Sequence, residues 1–426
     1  IEEALATEAQ GVANHILHDT LVLCCHEGLR HTRHAFGNLS SQVDYLCRDR
    51  HMAAQDVLAI QRMRRHSNSD EPLSPEDLGY DCRALALFVS AVFQTPVPAS
   101  LVGRIPATGR VTQGNPISSY TYLRCVVRSF DDETIHATVV NQDCDEEVVT
   151  IDYRHTPDYI DFSYLTRILQ EGMTLNLLDC HREDDRLIPG LIIVEPDYLL
   201  DISAIASCFE DYGHHPLLFT LHRLKERQNS KHILLGNFAG SALDDLINHA
   251  QYRFADTLQR NFREKAIEYA CCPDFDPSEF KRLAESQVSN MQAVVAELFA
   301  RYNKEKAILE PSFICEKLGI QGRVDLMTTD LRLLVEQKSG QNYFLKRHTR
   351  NRYGSLHVEK HYVQVLLYFG VLSYNFGLSP KHADIYLLYS KYPLPDGLLQ
   401  VEPLRKLLRE ALKYRNQVVA LEYWMA

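Results

Sequence analysis

The chain has 426 residues, a length for two or three domains, and 45% of them are apolar, ordinary for globular protein. Lys and Arg number 45 against 56 Asp and Glu, a net charge of −11 that excludes a protein coating nucleic acid over its whole surface but permits a local basic groove. The longest apolar run, residues 84–93, is too short to span a bilayer, and no signal peptide is visible, so a cytoplasmic protein without membrane contact is expected.

Residues 1–95 read as helical, with apolar positions at helical spacing through Ala4, Val12, Ile16, Leu21 and Leu23. A polar loop is predicted over 68–79, and within it Ser74-Pro75-Glu76-Asp77 opens a helix with a capping hydroxyl and acids at its positive end. His15, His18, His26, His31 and His34 lack a carboxylate or thiolate pattern to complete a metal site and read as surface or satisfied residues. The eleven cysteines include no Cys-x-x-Cys, and Cys24-Cys25 and Cys271-Cys272 are adjacent, so reduced thiols are expected. Partner binding is the plain expectation for this region.

From residue 96 to 200 the composition turns to short β-prone runs: 100–105, 120–129, 134–141, 147–153, 173–180 and 187–193. Gly114-Asn115-Pro116 and Asp131-Asp132-Glu133 break them. A small β-barrel is predicted, with an oligonucleotide-binding (OB) barrel as one form. Tyr120, Tyr122, Phe130 and Tyr153 are able to stack bases, although packing within the sheet is the simpler role.

Residues 201–426 return to helices, over 201–209, over 241–270 and from Asp276-Pro277-Ser278-Glu279. A strand at 311–315 then leads into Gln321-Gly322-Arg323-Val324-Asp325-Leu326-Met327, read as one strand with Arg323 and Asp325 on one face. Thr328-Thr329-Asp330 turns the chain into a second strand, where Glu336 and Lys338 share a face. An even loop places Asp325 and Glu336 on the same side; an odd loop splits them. Two carboxylates on a strand pair form a hard oxygen site for Mg²⁺ or Mn²⁺, and the nearby ammonium can hold a water or offset phosphorane charge. Residues 341–360 carry Lys346, Arg347, Arg350, Arg352 and Lys360 against Glu359, interleaved with Tyr343, Phe344 and Tyr353: a possible backbone track with stacking rings. A helix with Gln364 and Tyr368, a strand over 382–390 and a helix over 401–424 close the chain.

Asp325, Glu336-x-Lys338 and Gln364-x-x-x-Tyr368, with Gly322-Arg323 before the Asp, resemble the PD-(D/E)XK nuclease superfamily and, more narrowly, its RecB-type branch. The resemblance covers 201–426 and implies an α+β fold, a mixed sheet flanked by helices. It implies Asp325, Glu336, Lys338, Gln364 and Tyr368 as catalytic residues. Mg²⁺ or Mn²⁺ would be held by Asp325, Glu336 and the Gln337 carbonyl, with Glu310 as a further possible member. Arg323, Lys346, Arg347, Arg350, Arg352 and Lys360 would contact DNA. Barrel before nuclease is also the order of flap-processing helicase–nucleases. That order implies single-stranded or flapped DNA, replication or repair, and a helicase partner, separate or on a longer chain.

The pattern departs from the family at one place. In Gly236-Asn237-Phe238-Ala239-Gly240, glycine stands where the branch carries a metal-binding His. Asp244 lies one turn on, about 5 Å away, and is read with His249 as no substitute, Asp244 being a solvated helix residue. No cysteine follows Cys315, so no iron–sulfur cluster is expected, and no P-loop occurs, so no ATP site is expected. Two other readings stay open: a degenerate nuclease fold that only binds DNA ends or a protein, and a zinc hydrolase using His357 and His361, which lacks a third ligand. Polarity, endo or exo action, DNA against RNA, one ion or two, and oligomeric state are not written in the sequence.

Overall fold

A computed structural model describes residues 1–7, 11–32, 36, 39–67, 73–109, 119–140, 148–156, 160–183, 185–225, 229–379 and 381–425. His34 and the Gly114-Asn115-Pro116 turn lie outside the described residues. The chain divides into two compact units, Ile1–Tyr198 with Val419–Ala426, and Leu199–Val418.

The first unit opens with α1 (Glu2–Ala6), α2 (Val12–Gly28), α3 (Leu39–Asp49), α4 (Ala54–Ser67) and α5 (Pro75–Phe93), packed around Leu17, Leu21, Leu46, Ile60 and Phe88. Ser74 caps α5 by accepting the Asp77 N–H, and Pro75 occupies the first turn, where a missing N–H costs nothing. Strands follow: β1 (Ser119–Phe130), β2 (Thr134–Val139), β3 (Val148–Asp152), β4 (Thr174–Glu183), β5 (Arg186–Ile188) and β6 (Leu191–Val194). They run in the order β1-β2-β3-β5-β4, and β4 pairs back onto β1, so five strands close into a barrel. β6 adds outside the closed ring, paired to β4. Leu123, Cys125, Ile135, Ile151, Leu175 and Leu177 fill the barrel core.

The barrel corrects several expectations. Residues 100–105 form turns with an isolated Val102–Ile105 bridge rather than a strand. The run 187–193 is two strands, because Pro189 lacks a ladder N–H and the Gly190 N–H donates to the Leu178 carbonyl. A Cβ at Gly190 would lie 3.0 Å from that of Asp179, so the turn needs glycine. Tyr153 is buried in the barrel core and Phe130 packs against it. The Tyr122 hydroxyl donates to Asn176 Oδ1 at 3.4 Å, and the Tyr120 side chain lies outside what is described.

The second unit begins with β7 (Leu200–Asp201), α6 (Ile202–Ala206), β8 (Phe209–Glu210), β9 (Gly213–His214) and α7 (Leu217–Leu224). Next come α8 (Lys231–Asn248), α9 (Phe254–Glu264), α10 (Ala266–Ala270) and α11 (Pro277–Arg301). The expected single helix over 241–270 is thus three; Ser230 caps α8 well upstream by accepting the Ile233 N–H. Then follow β10 (Ala307–Leu309), β11 (Ser312–Cys315), β12 (Ile320–Arg323), β13 (Leu326–Thr328) and β14 (Leu333–Lys338). Last are α12 (Tyr343–Arg347), α13 (Glu359–Phe376), β15 (Asp384–Tyr389), β16 (Leu398–Gln400) and α14 (Arg405–Met425).

One sheet runs β10-β13-β14-β15-β16, with only the β14–β15 pair parallel, and a second runs β11-β12-β7. Leu333 and Val335 turn to a core shared with Leu234, Phe238 and Ala242 of α8 and Phe280, Met291 and Leu298 of α11. The alternate residues of β14 face the other way, toward α13. The fold is therefore α+β, with a closed barrel and mixed sheets. Among the described residues, no helix is long and apolar enough to cross a membrane.

Candidate active site

The stretch 320–328 is not one strand. Its first half, β12, pairs with β11, and its second half, β13, joins the other sheet between β10 and β14. Asp325 stands at the break. The break is fixed from outside: the Glu310 N–H donates to the Asp325 carbonyl at 3.0 Å and the Val324 N–H to Pro311 at 3.2 Å. Glu310 adopts φ +50° to make this turn.

In the hairpin, Leu326 opposes Val335 and Met327 opposes Leu334. Six residues separate Met327 from Leu334, an even loop, so the same register carries Asp325 to a position opposite Glu336. The Gln337 N–H donates to Asp325 Oδ2 at 2.6 Å. Since the N–H and C=O of one strand residue point to the same side, the Gln337 carbonyl shares that side with Asp325. Its side chain instead donates to Ser390 at 3.1 Å.

Glu336 is 4% exposed. Its Oε1 accepts from Lys338 Nζ at 2.8 Å and from Gln364 Nε2 at 2.7 Å, and Lys338 also donates to Gln364 Oε1 at 2.9 Å. Three side chains thus close a ring of hydrogen bonds. Glu336 Oε2 is buried without any partner. Burial pushes the Glu336 carboxyl up to about 7, opposed by Lys338 and reinforced by Asp325. Burial also raises Asp325, against Lys338 and the Gln337 N–H, with Glu310 adding to the rise.

Tyr368, one turn after Gln364, donates its hydroxyl to the Arg323 carbonyl. A Cβ on Gly322 would come within 3.1 Å of Ile202 and 3.2 Å of Tyr368, which gives the glycine of Gly-Arg-x-Asp a steric reason.

Helix α8 presents Gly236, Gly240 and Asp244 at successive turns. A Cβ on Gly236 would meet Ser339 Oγ at 3.0 Å, while the space beside Gly240 is open for 4 Å. Asp244 is not the solvated residue expected. It is partly buried, and burial with the charges of Glu310 and Asp325 pushes its carboxyl up to about 6. The sequence places Asp244 one turn beyond Gly240 but not its surroundings, because Glu310 and Asp325 come from distant segments.

The basic segment is less free than its composition. Lys346 and Arg347 are exposed on α12. Arg350 donates to the Gly354 carbonyl at 2.6 Å within its own loop. Arg352 pairs with Glu359 at 3.1 Å, Lys360 with Glu210 at 3.5 Å and Arg323 with Glu310 at 3.0 Å. Acids distant in sequence account for Lys360 and Arg323. Glu359 also holds His214 Nε2 at 2.5 Å, while His214 Nδ1 meets Glu410 at 2.8 Å. His214 is almost fully buried; burial opposes its charge, but the two carboxylates hold its pKa above the usual value. The Tyr353 ring stacks on His214 and its hydroxyl donates to Glu410 at 3.2 Å, fastening the basic loop.

His357 precedes α13, so it shares no helical face with His361. It stacks on Tyr362, and burial pulls its pKa down to about 4. His361 Nδ1 meets the Tyr389 hydroxyl at 3.2 Å. Among the described residues, no group of three or more His, Cys, Asp or Glu is arranged to hold a metal ion by itself. Every described cysteine is a free thiol.

No family model matches this chain. No curated protein sequence matches it either. Among solved structures, it is similar to a candidate exonuclease from Eubacterium rectale, at 14% identity and a TM-score of 0.35, over 53% of this chain and 81% of the other.

Proposed function

We propose that the Asp325–Glu336–Lys338 centre is the active site of a metal-dependent nuclease with a PD-(D/E)XK core of the RecB type, hydrolysing phosphodiester bonds of DNA. The observation that carries this reading is the buried, unpartnered Glu336 Oε2 beside an engaged Oε1. A buried carboxylate oxygen without a donor is costly, and a cation is the natural counterpart. The residues fit Mg²⁺ or Mn²⁺: Asp325, Glu336 and the Gln337 carbonyl offer hard oxygens, leaving the remaining positions to water. When bound, the ion polarises the scissile phosphate and lowers the pKa of a water.

The side chains divide the remaining work. Gln364 holds Glu336 and Lys338 together, fixing both rotamers. Lys338, so placed, orients the attacking water or offsets charge on the phosphorane. Tyr368 positions the backbone leading to Asp325 through the Arg323 carbonyl. Lys346 and Arg347 supply phosphate contacts, whereas Arg323, Arg350, Arg352 and Lys360 must first release the partners they hold here. The closed barrel, read as OB-like, accords with a single-stranded or flapped substrate in replication or repair, with a helicase as partner.

A second reading, a degenerate nuclease fold that binds DNA or protein, is favoured by the open space at Gly240 where the branch carries its His. Cleavage of end-labelled single-stranded and flapped DNA with Mg²⁺ or Mn²⁺, beside Glu336→Ala, separates the two. Metal-dependent cleavage lost in the variant supports the nuclease; binding without cleavage by the parent protein supports the module.

A further inference from the structure

A second feature lies at the opposite end of the same strands. A cleft of about 510 Å³ is lined by Arg301, Tyr302, Arg332, Lys381, His382 and the carboxylates of Asp330 and Asp384. Its volume falls in the range of small-molecule sites, roughly 300–1,000 Å³. Arg332 immediately precedes β14, and Asp384 opens the parallel β15. Four residues at ~3.3 Å each place Arg332 roughly 13 Å along the strand from Glu336.

The charges in this cleft are unequally engaged. All four carboxylate oxygens already have donors. Asp330 Oδ2 takes Lys306 Nζ at 3.0 Å, and its Oδ1 takes the Thr328 hydroxyl at 2.7 Å. Asp384 Oδ2 takes the Tyr302 hydroxyl at 2.6 Å, and its Oδ1 takes Gln400 Nε2 at 3.1 Å. The acids are therefore satisfied from the protein side. Arg332 and Lys381 are exposed, and among the described residues neither has an ion-pair partner. His382 adds a ring that meets the Asp330 carbonyl at 3.3 Å. In a chain of net charge −11, Arg301, Arg332 and Lys381 outnumber Asp330 and Asp384 around this concave space, a small local excess of positive charge.

We propose that this cleft binds a small phosphate monoester of mononucleotide size, at a site separate from the carboxylate centre. Arg332 offers a planar fork to two phosphate oxygens and Lys381 a point charge to the third. Tyr302 is part of the lining beside these cations. The monoester is either a free nucleotide or the phosphorylated end of a nucleic-acid strand. The inference does not depend on nuclease activity at Glu336.

The test is calorimetric titration of the whole chain without divalent metal, using deoxyadenosine 5′-monophosphate, deoxyadenosine and a 5′-phosphorylated oligonucleotide. The monophosphate should bind saturably and deoxyadenosine should not. Arg332→Ala and Lys381→Ala should each weaken binding about tenfold or more, with Glu336→Ala unchanged. Both substituted residues are exposed, so circular dichroism of the variants should match the parent. Tighter Arg332-dependent binding of the oligonucleotide assigns the cleft to strand ends; tighter binding of the monophosphate assigns it to the free nucleotide. Lack of saturable binding by either phosphate, or binding lost in Glu336→Ala but kept in Arg332→Ala, overturns the proposal.

Discussion

Tyr368 holds the carbonyl of Arg323, forty-five residues earlier, and so ties α13 to the chain two residues before Asp325. Tyr368→Phe should cost about 1–2 kcal/mol, because the carbonyl loses its donor. Gly322→Ala should cost a similar amount, about 1–3 kcal/mol, by pushing Ile202 and Tyr368 apart. Urea unfolding measures both. If these contacts also position Asp325, metal-dependent cleavage should fall in each variant by more than the lost fraction of folded protein.

The second prediction concerns Glu336, whose folded pKa of about 7 exceeds that of an unfolded glutamate. A raised folded pKa means a stability contribution present at low pH and lost as pH rises through 7. Glu336→Gln should therefore melt higher than the parent above pH 7, by on the order of 1–3 kcal/mol, with the gain shrinking toward pH 5. Added Mn²⁺ should narrow the gap by stabilising only the parent. A variant less stable at every pH would show that the carboxylate is already compensated.

The third concerns the open space at Gly240. Gly240→His meets no atom within 4 Å at its Cβ and exchanges a poor helix former for a better one. It should tighten Mn²⁺ binding by about tenfold or more if the imidazole reaches the ion. Asp244→Asn should weaken binding in the parent, since its carboxyl feels both Asp325 and Glu310. Calorimetric titration compares them, and equal affinity across all three proteins would put α8 outside the site.

Salt dependence distinguishes the basic residues. Replacing Lys346 and Arg347 by Ala together should lower the slope of log affinity against log salt by up to about 1.4, at ~0.7 per phosphate contact on single strands. Arg352→Ala should change the slope little and lower the melting temperature instead, because it leaves Glu359 short of a cation. A steep loss of slope in Arg352→Ala would mean that the ion pair opens on DNA.

The fifth prediction is a pH effect away from the centre. His214 has a raised folded pKa, so its contribution is complete below the unfolded value of about 6.5 and is lost as pH rises through the folded one. The parent protein should lose stability above neutrality more steeply than His214→Gln, whose own cost near pH 6 should be about 3 kcal/mol. Parallel melting curves from pH 6 to 9 would exclude the charged imidazole.

What the sequence made legible was local. Alternation along β14 set Glu336 and Lys338 on one face, and the hairpin question reduced to a parity that the loop then answered as even. The barrel strands could be read because apolar alternation and turn residues punctuate them. The break at Asp325 could not, since the change of sheet is imposed by Glu310 and Pro311 from another segment. Nor could the fate of the basic loop: Glu210, Asp211 and Glu410 reach it from distant elements, and composition counts only neighbours in sequence. Asp244 reads as a solvated residue one turn beyond Gly240, because the charges of Glu310 and Asp325 that act on it come from distant segments.

The Gln337 amide spends its hydrogen bond on Asp325 rather than on a neighbouring strand. A single backbone proton therefore senses the ionisation of a single carboxylate. In an NMR spectrum its chemical shift should follow the titration of Asp325, move again on adding a divalent cation, and report occupancy of the centre without any substrate. The protein carries its own spectroscopic gauge of that centre, readable even in a variant too slow to assay.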